Sequence, residues 1–178
     1  MRLFLAISLP QKVKEQIDIR LKDIKLEYQD LKWVGSDNYH ITVHFFGERA
    51  SAEKIISKVE QSLFESYSFY MYSLENRLSI RKKVLAYLAF SRNKELEDIV
   101  GRVNDMFNTT TKLKFIPHVT LARYRIPSKQ QYLLLKKKFS KLDIDVSFKV
   151  SKLTLFDCIN YGVKPEYKIV KEFNLLER

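Results

Sequence analysis

A chain of 178 residues with 46% hydrophobic and 13% aromatic content can bury a substantial core, which excludes a disordered chain. Thirty-two Lys and Arg against 21 Asp and Glu give a net charge of +11, which is either a solvated basic surface or an attraction to polyanions such as nucleic acid or an anionic membrane. The single cysteine, Cys158, excludes an internal disulfide and a cysteine-based zinc knuckle, and it fits a reducing compartment.

Residues 2–9 alternate as a strand does. Their apolar run LFLAISL is too short to span a membrane and leads directly into a charged segment, so a soluble, cytoplasmic protein is expected. Pro10 supplies a helix start, and Val13, Ile17, Leu21 and Ile24 recur at helical spacing, which predicts an amphipathic helix over 10–27. DLKWVGSDN (30–38) reads as a connection, with turn chemistry at Gly35, Asp37 and Asn38. A strand over Tyr39–Phe46 ends at Gly47, and Ser51 caps a helix over 51–65. Two strands follow, 68–80 and 83–91, then a helix capped by Asn93 and running to Phe107. A strand at 118–124 precedes a basic helix opened by Pro127 and Ser128 and reaching about 141. Strands at 145–156 and 167–174 finish the chain.

The first half contains a strand–helix–strand–helix unit, and a comparable alternation recurs in the second half. Each half places a His-x-Thr strand directly before a helix, HITVHFFG from His40 and PHVTLARY from Pro117, and the histidines are 118 − 40 = 78 residues apart. This duplication argues for two related lobes. With only four glycines and four prolines, and no linker between the halves, a single α+β domain over residues 1–178 is expected.

Side chains alternate across a strand, so His40, Thr42 and His44 are expected on one face, with Ile41, Val43 and Phe45 towards the core. His118 and Thr120 likewise share a face, with Val119 and Leu121 opposite. Two such strands facing each other offer two imidazoles and two hydroxyls. One imidazole can then act as a base and the other, protonated, as an acid, as phosphodiester cleavage requires. The threonine hydroxyls can donate to the non-bridging phosphate oxygens. Either segment alone reads more readily as an ordinary strand with a packed or surface histidine. An alternative is a metal site of His40, His44 and His118, which lacks a carboxylate at ligand spacing and leaves the threonines without a role. The chain has no GxxxxGK[ST], GxGxxG, HExxH or GxSxG, so an ATP- or dinucleotide-driven reaction lacks its usual phosphate cradle.

HITVHFFG and FIPHVTLAR resemble the paired signatures of the two-histidine (2H) phosphoesterase superfamily, most of all its RNA 2′,3′-cyclic phosphodiesterase branch, formerly described as 2′-5′ RNA ligases. The likeness extends over nearly the whole chain, including the opening MRLFLAISLP and LKWVGSDNYHITVHFFGE. The resemblance implies a bilobal fold of two pseudo-symmetric lobes, each a mainly antiparallel sheet with helices outside and the cleft between them. It implies opening of a 2′,3′-cyclic phosphate to a 2′-phosphate without a metal or other cofactor, with His40 as proton donor to the 3′ oxygen and His118 as proton acceptor from water. Thr42 and Thr120 then hold the phosphate oxygens.

Ala86 stands where the family commonly has a tryptophan, so either Tyr87 or Phe46 is expected to stack on a base instead or nucleotide binding is expected to be weaker. Strict alternation puts Arg123 opposite His118, and it contacts phosphate only if the strand bulges there. Tyr124 shares parity with His118 and lines the cleft wall. Lys82, Lys83, Arg123 and Arg125 flank the site and attract an RNA end, whereas Lys136–Lys138 form a solvated face. The expected partner is an RNA or nucleotide bearing a 2′,3′-cyclic phosphate, acted on by a monomer with no membrane contact. Alternatives with the same site are a 2′-5′ RNA ligase, a 2′-5′ phosphodiesterase and a small cyclic-nucleotide phosphodiesterase. An alternative of another class is a non-catalytic module that binds RNA ends.

Overall fold

The computed structural model describes residues 2–47, 51–80, 84–110, 114–124, 128–159 and 165–177. Lys82, Lys83, Arg125 and Pro127 lie outside the described residues, as does the side chain of Tyr124. In chain order the elements are β1 (Leu3–Ser8), α1 (Gln11–Glu27), β2 (Lys32–Trp33), β3 (His40–Gly47), α2 (Ala52–Ser62), β4 (Phe69–Ile80) and β5 (Val84–Phe90). After these come α3 (Lys94–Met106), β6 (His118–Tyr124), α4 (Lys129–Phe139), β7 (Ser147–Val150), β8 (Lys152–Ile159) and β9 (Glu166–Asn174).

Among the described residues the strands form one antiparallel sheet in the order β7-β4-β5-β6-β3-β1-β8-β9, with the short β2 added to β6. The helices cover a single face of it. Val13, Ile17 and Leu21 of α1, Val59 of α2, Ile99 of α3 and Phe139 of α4 share one core with the inward residues of every central strand, among them Leu5, Ile41, Leu88 and Val119. The opposite face carries a small buried apolar cluster of Phe4, Ala6 and Phe156. One face is thus buried by amphipathic helices and the other is left open, which is how this antiparallel sheet presents polar side chains.

The sheet is two halves joined at its middle. In order from the centre one half is β3-β1-β8-β9 and the other β6-β5-β4-β7, and a single registered pair, Ile41 with Val119, connects them. The internal repeat is visible in the helices, since α2 and α4 have the same length of 11 residues and start 129 − 52 = 77 positions apart. Strands cross between the halves: β4 of the first repeat pairs with β5, and β8 of the second pairs with β1 and carries β9 with it.

Three expectations change. The run 145–156 is two strands rather than one, because β7 pairs with β4 in one half while β8 crosses to β1 in the other. The segment 30–38 contains a strand, since Lys32 and Trp33 pair with Arg123 and Ala122. Ser51 occupies the N-cap of α2, but its hydroxyl donates to Glu53 instead of accepting from the helix. Asn93 does cap α3, its Oδ1 accepting from Leu96 N at 3.1 Å.

Candidate active site

His40 and His118 open the two central strands, β3 and β6. Because Ile41 pairs with Val119 antiparallel, the register continued by one residue sets Thr120 opposite His40 and Thr42 opposite His118. The two motifs are related by a local two-fold axis through the Ile41–Val119 pair. Diagonal neighbours of this kind have Cβ atoms roughly 7 Å apart, a separation that lets two imidazoles reach one phosphate from opposite sides.

Each motif strand bulges at the same place. In β3, Thr42 pairs with Ala6 and His44 with Leu5, so Val43 is the extra residue. In β6, Thr120 pairs with Tyr87 and Ala122 with Ala86, so Leu121 is the extra residue. Both bulges fall three positions after the histidine and reverse the facing of the residues beyond them. The residue at the fourth position, His44 or Ala122, is buried towards the helices, and the residue at the fifth, Phe45 or Arg123, turns to the open face.

The expected positions after the bulges are therefore corrected. His44 does not share a face with His40 and Thr42; it is buried behind the sheet, where its Nδ1 hydrogen-bonds Asn104 Oδ1 of α3 at 2.9 Å and its ring packs on Phe46 and Phe107. Three imidazoles from His40, His44 and His118 consequently do not converge on a metal, and no cluster of three His, Cys, Asp or Glu suited to a metal occurs among the described residues. Phe46 also points to the helix side, 4.7 Å from the Phe107 ring, and is not a cleft residue. Phe45, expected in the core, is 71% exposed and lines the cleft. Arg123 is exposed on the same face as His118. Ala86 lies in the core, so the missing aromatic at that position leaves no gap in the cleft. Tyr87 is on the cleft side, its ring 5.1 Å from that of His118.

The cleft has a volume of about 540 Å³ and is lined by His40, Thr42, Phe45, His118, Thr120 and Arg123. The imidazoles are oriented by the same device: Nδ1 of His40 meets Asn38 O at 2.7 Å, and Nδ1 of His118 meets Ile116 O at 2.7 Å. A carbonyl only accepts, so each Nδ1 carries a proton and donates it. That leaves both Nε2 atoms available to take or give a proton in the cleft.

Their surroundings differ. The His40 ring sits 5.1 Å from Phe4 and 5.1 Å from Tyr167, the latter edge-on. Burial pushes His40 down to about 4, against the pull of its Asn38 hydrogen bond, and the positive charges of Arg123, His118 and Lys14 add to the effect. Cys158 also borders the cleft, but burial pushes its thiol up, which keeps it protonated and unlike a nucleophilic cysteine. Phe4 and Tyr167 were not legible as site residues, since nothing local in the sequence ties residues 4 and 167 to residue 40.

Residues 13–160 match the model of the 2′-5′ RNA ligase superfamily, and the chain belongs to that family, the 2H phosphoesterases its motifs resemble. Among curated proteins it is similar to the RNA 2′,3′-cyclic phosphodiesterase of Methanocaldococcus jannaschii, 28% identical over 97% of this chain and 100% of the relative. The protein of the same name from Thermotoga maritima is 26% identical over 97% and 94%. Among solved structures, E. coli LigT complexed with 3′-AMP superposes with a TM-score of 0.78 at 22% identity, covering 98% of this chain and 97% of LigT. TT0787 of Thermus thermophilus gives 0.74 at 17% identity with both chains fully covered. These likenesses show that the expected bilobal α+β fold is the one adopted. No helix among the described residues is long and apolar enough to cross a membrane.

Proposed function

We propose that this protein is an RNA 2′,3′-cyclic phosphodiesterase that opens the cyclic phosphate to a 2′-phosphate by acid–base catalysis between His40 and His118, without a metal. The observation that carries this reading is the two-fold pairing of the His-x-Thr motifs, with both Nδ1 atoms held by backbone carbonyls and both imidazoles lining one cleft. The names of the curated relatives support the substrate class.

In this reading the phosphate sits over the Ile41–Val119 pair. Thr42 and Thr120 donate hydrogen bonds to its non-bridging oxygens, and the Arg123 guanidinium faces the same charge. His118 Nε2 takes a proton from water as the water oxygen bonds to phosphorus. His40 Nε2–H gives a proton to the 3′ oxygen as its bond to phosphorus breaks, leaving the phosphate on the 2′ oxygen. A donor must be protonated, and His40 in the empty cleft is held near 4 by burial and cationic neighbours. The substrate anion supplies the opposite charge and raises it, so His40 takes up its proton together with substrate.

The neutral state of free His40 favours a second assignment in which it is the base and His118 the acid. A substrate with sulfur in place of the 3′ oxygen separates the two, because a thiolate leaves without protonation. On that substrate the variant lacking the acid recovers activity and the variant lacking the base does not. We expect His40→Ala to be the one that recovers; recovery by His118→Ala instead reverses the roles.

The function itself is tested with an oligonucleotide ending in a 2′,3′-cyclic phosphate, assayed in excess EDTA. The expected result is chelator-resistant conversion to a 2′-phosphate end. Complete loss in EDTA overturns the metal-free mechanism. Salt-dependent binding with no turnover of any phosphodiester identifies a module that binds RNA ends instead.

A further inference from the structure

The open face of the sheet does not end at the catalytic cleft. Tyr70 and Tyr72 of β4 lie on it, 54% and 55% exposed, because the intervening Met71 is the residue that enters the core. Their rings are stacked on each other with centroids 6.4 Å apart and planes inclined by 27°. Leu74, the extra residue of a bulge in the same strand, is 61% exposed. Three large side chains exposed at alternate positions of one strand form an apolar patch of the kind that marks an interaction site.

This patch lies on the same face of the sheet as the cleft. Tyr72 O accepts from Ser91 N, and Ser91 is two residues beyond Ala89, the partner of His118. By ordinary strand spacing and rise, Tyr72 is two strands and two residues from His118, roughly 12 Å between Cα atoms. Tyr87, whose ring abuts His118, lies on the same face of β5, two residues from Ala89 on the side away from Ser91, and interacts with Arg77. Lys149 of β7, paired across from Tyr70, adds a positive charge at the far end. Arg77 and Lys149 form exposed ion pairs with Glu75 and Glu177, contacts that are weak in water and readily exchanged for phosphate.

We propose that Tyr72 and Tyr70 are a stacking platform for the nucleobases that precede the cyclic phosphate of an RNA substrate, so that the protein prefers oligonucleotides to mononucleotides. The inference rests on the functional reading above. RNA is the occupant that the neighbourhood favours. A 2′,3′-cyclic phosphate is a 3′ end, so the rest of its strand must leave the cleft, and aromatic rings interleaved with cations on an open sheet are what a single strand binds.

The test compares kcat/KM for a 2′,3′-cyclic mononucleotide with that for an oligonucleotide of about six nucleotides carrying the same end. In the Tyr70→Ala/Tyr72→Ala double variant the oligonucleotide-to-mononucleotide ratio should fall about tenfold or more, the loss expected for one stacked base. In Tyr70→Phe/Tyr72→Phe it should hold, because the ring and not the hydroxyl does the stacking. An unchanged ratio in the alanine variant, or an equal fall on both substrates, overturns the platform. If the wild-type protein turns over neither substrate, the functional reading fails separately. Fluorescence-anisotropy affinity for the same oligonucleotide ended in a 3′-phosphate then reads the platform alone: a fall in the alanine variant supports it, and unchanged affinity overturns it.

Discussion

His40 and His118 donate the same hydrogen bond, at the same 2.7 Å, to the carbonyl two residues before them. Their strands bulge at the same position and meet at a two-fold axis. The difference lies in what the neighbouring strands supply. Around His40, β1 and β9 bring Phe4 and Tyr167, whereas among the described residues β5 brings Tyr87 as the one aromatic ring against His118. Beyond the bulges one half turns Phe45 to the open face and the other turns Arg123. A duplicated backbone makes a symmetric pair of bases, and unequal packing is what can turn such a pair into one acid and one base.

The largest effect is expected from the imidazoles themselves: His40→Ala and His118→Ala should each lower kcat by about 10²–10⁴-fold, and a near-normal rate in either would remove that histidine from the chemistry. Thr42→Val and Thr120→Val come next, at about 10–100-fold each, the value of a hydrogen bond to a charged group. Unequal losses would show that the asymmetry extends to the phosphate clamp.

A smaller effect concerns the titration of His40, followed by imidazole NMR. It should stay neutral through pH 6 and titrate near 4; Tyr167→Ser, by admitting water, and Arg123→Gln, by removing a positive charge, should both raise it. Folding holds His40 below its unfolded value of 6.5, so the unfolded chain binds this proton first. The residue therefore subtracts stability as the pH falls from about 6.5 towards 4 and leaves stability above that window unchanged. His40→Asn should flatten the acid side of the denaturant-midpoint profile in that window; an unaltered slope would mean that His40 titrates normally. The smallest change in rate belongs to His44→Gln, which should leave kcat within a few-fold, since the ring is behind the sheet with Asn104. A loss as large as that of His118→Ala would contradict the placement.

Much of this site was legible in the sequence. The alternation in His40–Thr42 and His118–Thr120 put both imidazoles and both hydroxyls on one face, and the 78-residue spacing announced the duplication. Legibility stopped at Val43 and Leu121, because a bulge changes no residue type on its own strand. It is defined by the partners, Leu5 and Ala6 or Ala86 and Tyr87, which pair around it. Hence His44 and Phe46 were expected in the cleft and Phe45 in the core, while Arg123 depended on a bulge that the sequence does not announce. The split of 145–156 was hidden for a related reason: Ser151 is no strong strand breaker, and only the exchange of strands between halves sends β7 and β8 apart.

The central claim is that the two histidines serve one phosphate together, and a double-mutant cycle on kcat tests it most directly. Wild type, His40→Ala, His118→Ala and the double variant are compared on one oligonucleotide with a 2′,3′-cyclic phosphate end. If both imidazoles act in one displacement, the double variant should be little slower than the slower single variant, because groups that act as a unit are strongly non-additive. Additive losses, with the double variant slower by the product of the two single effects, would contradict the shared site.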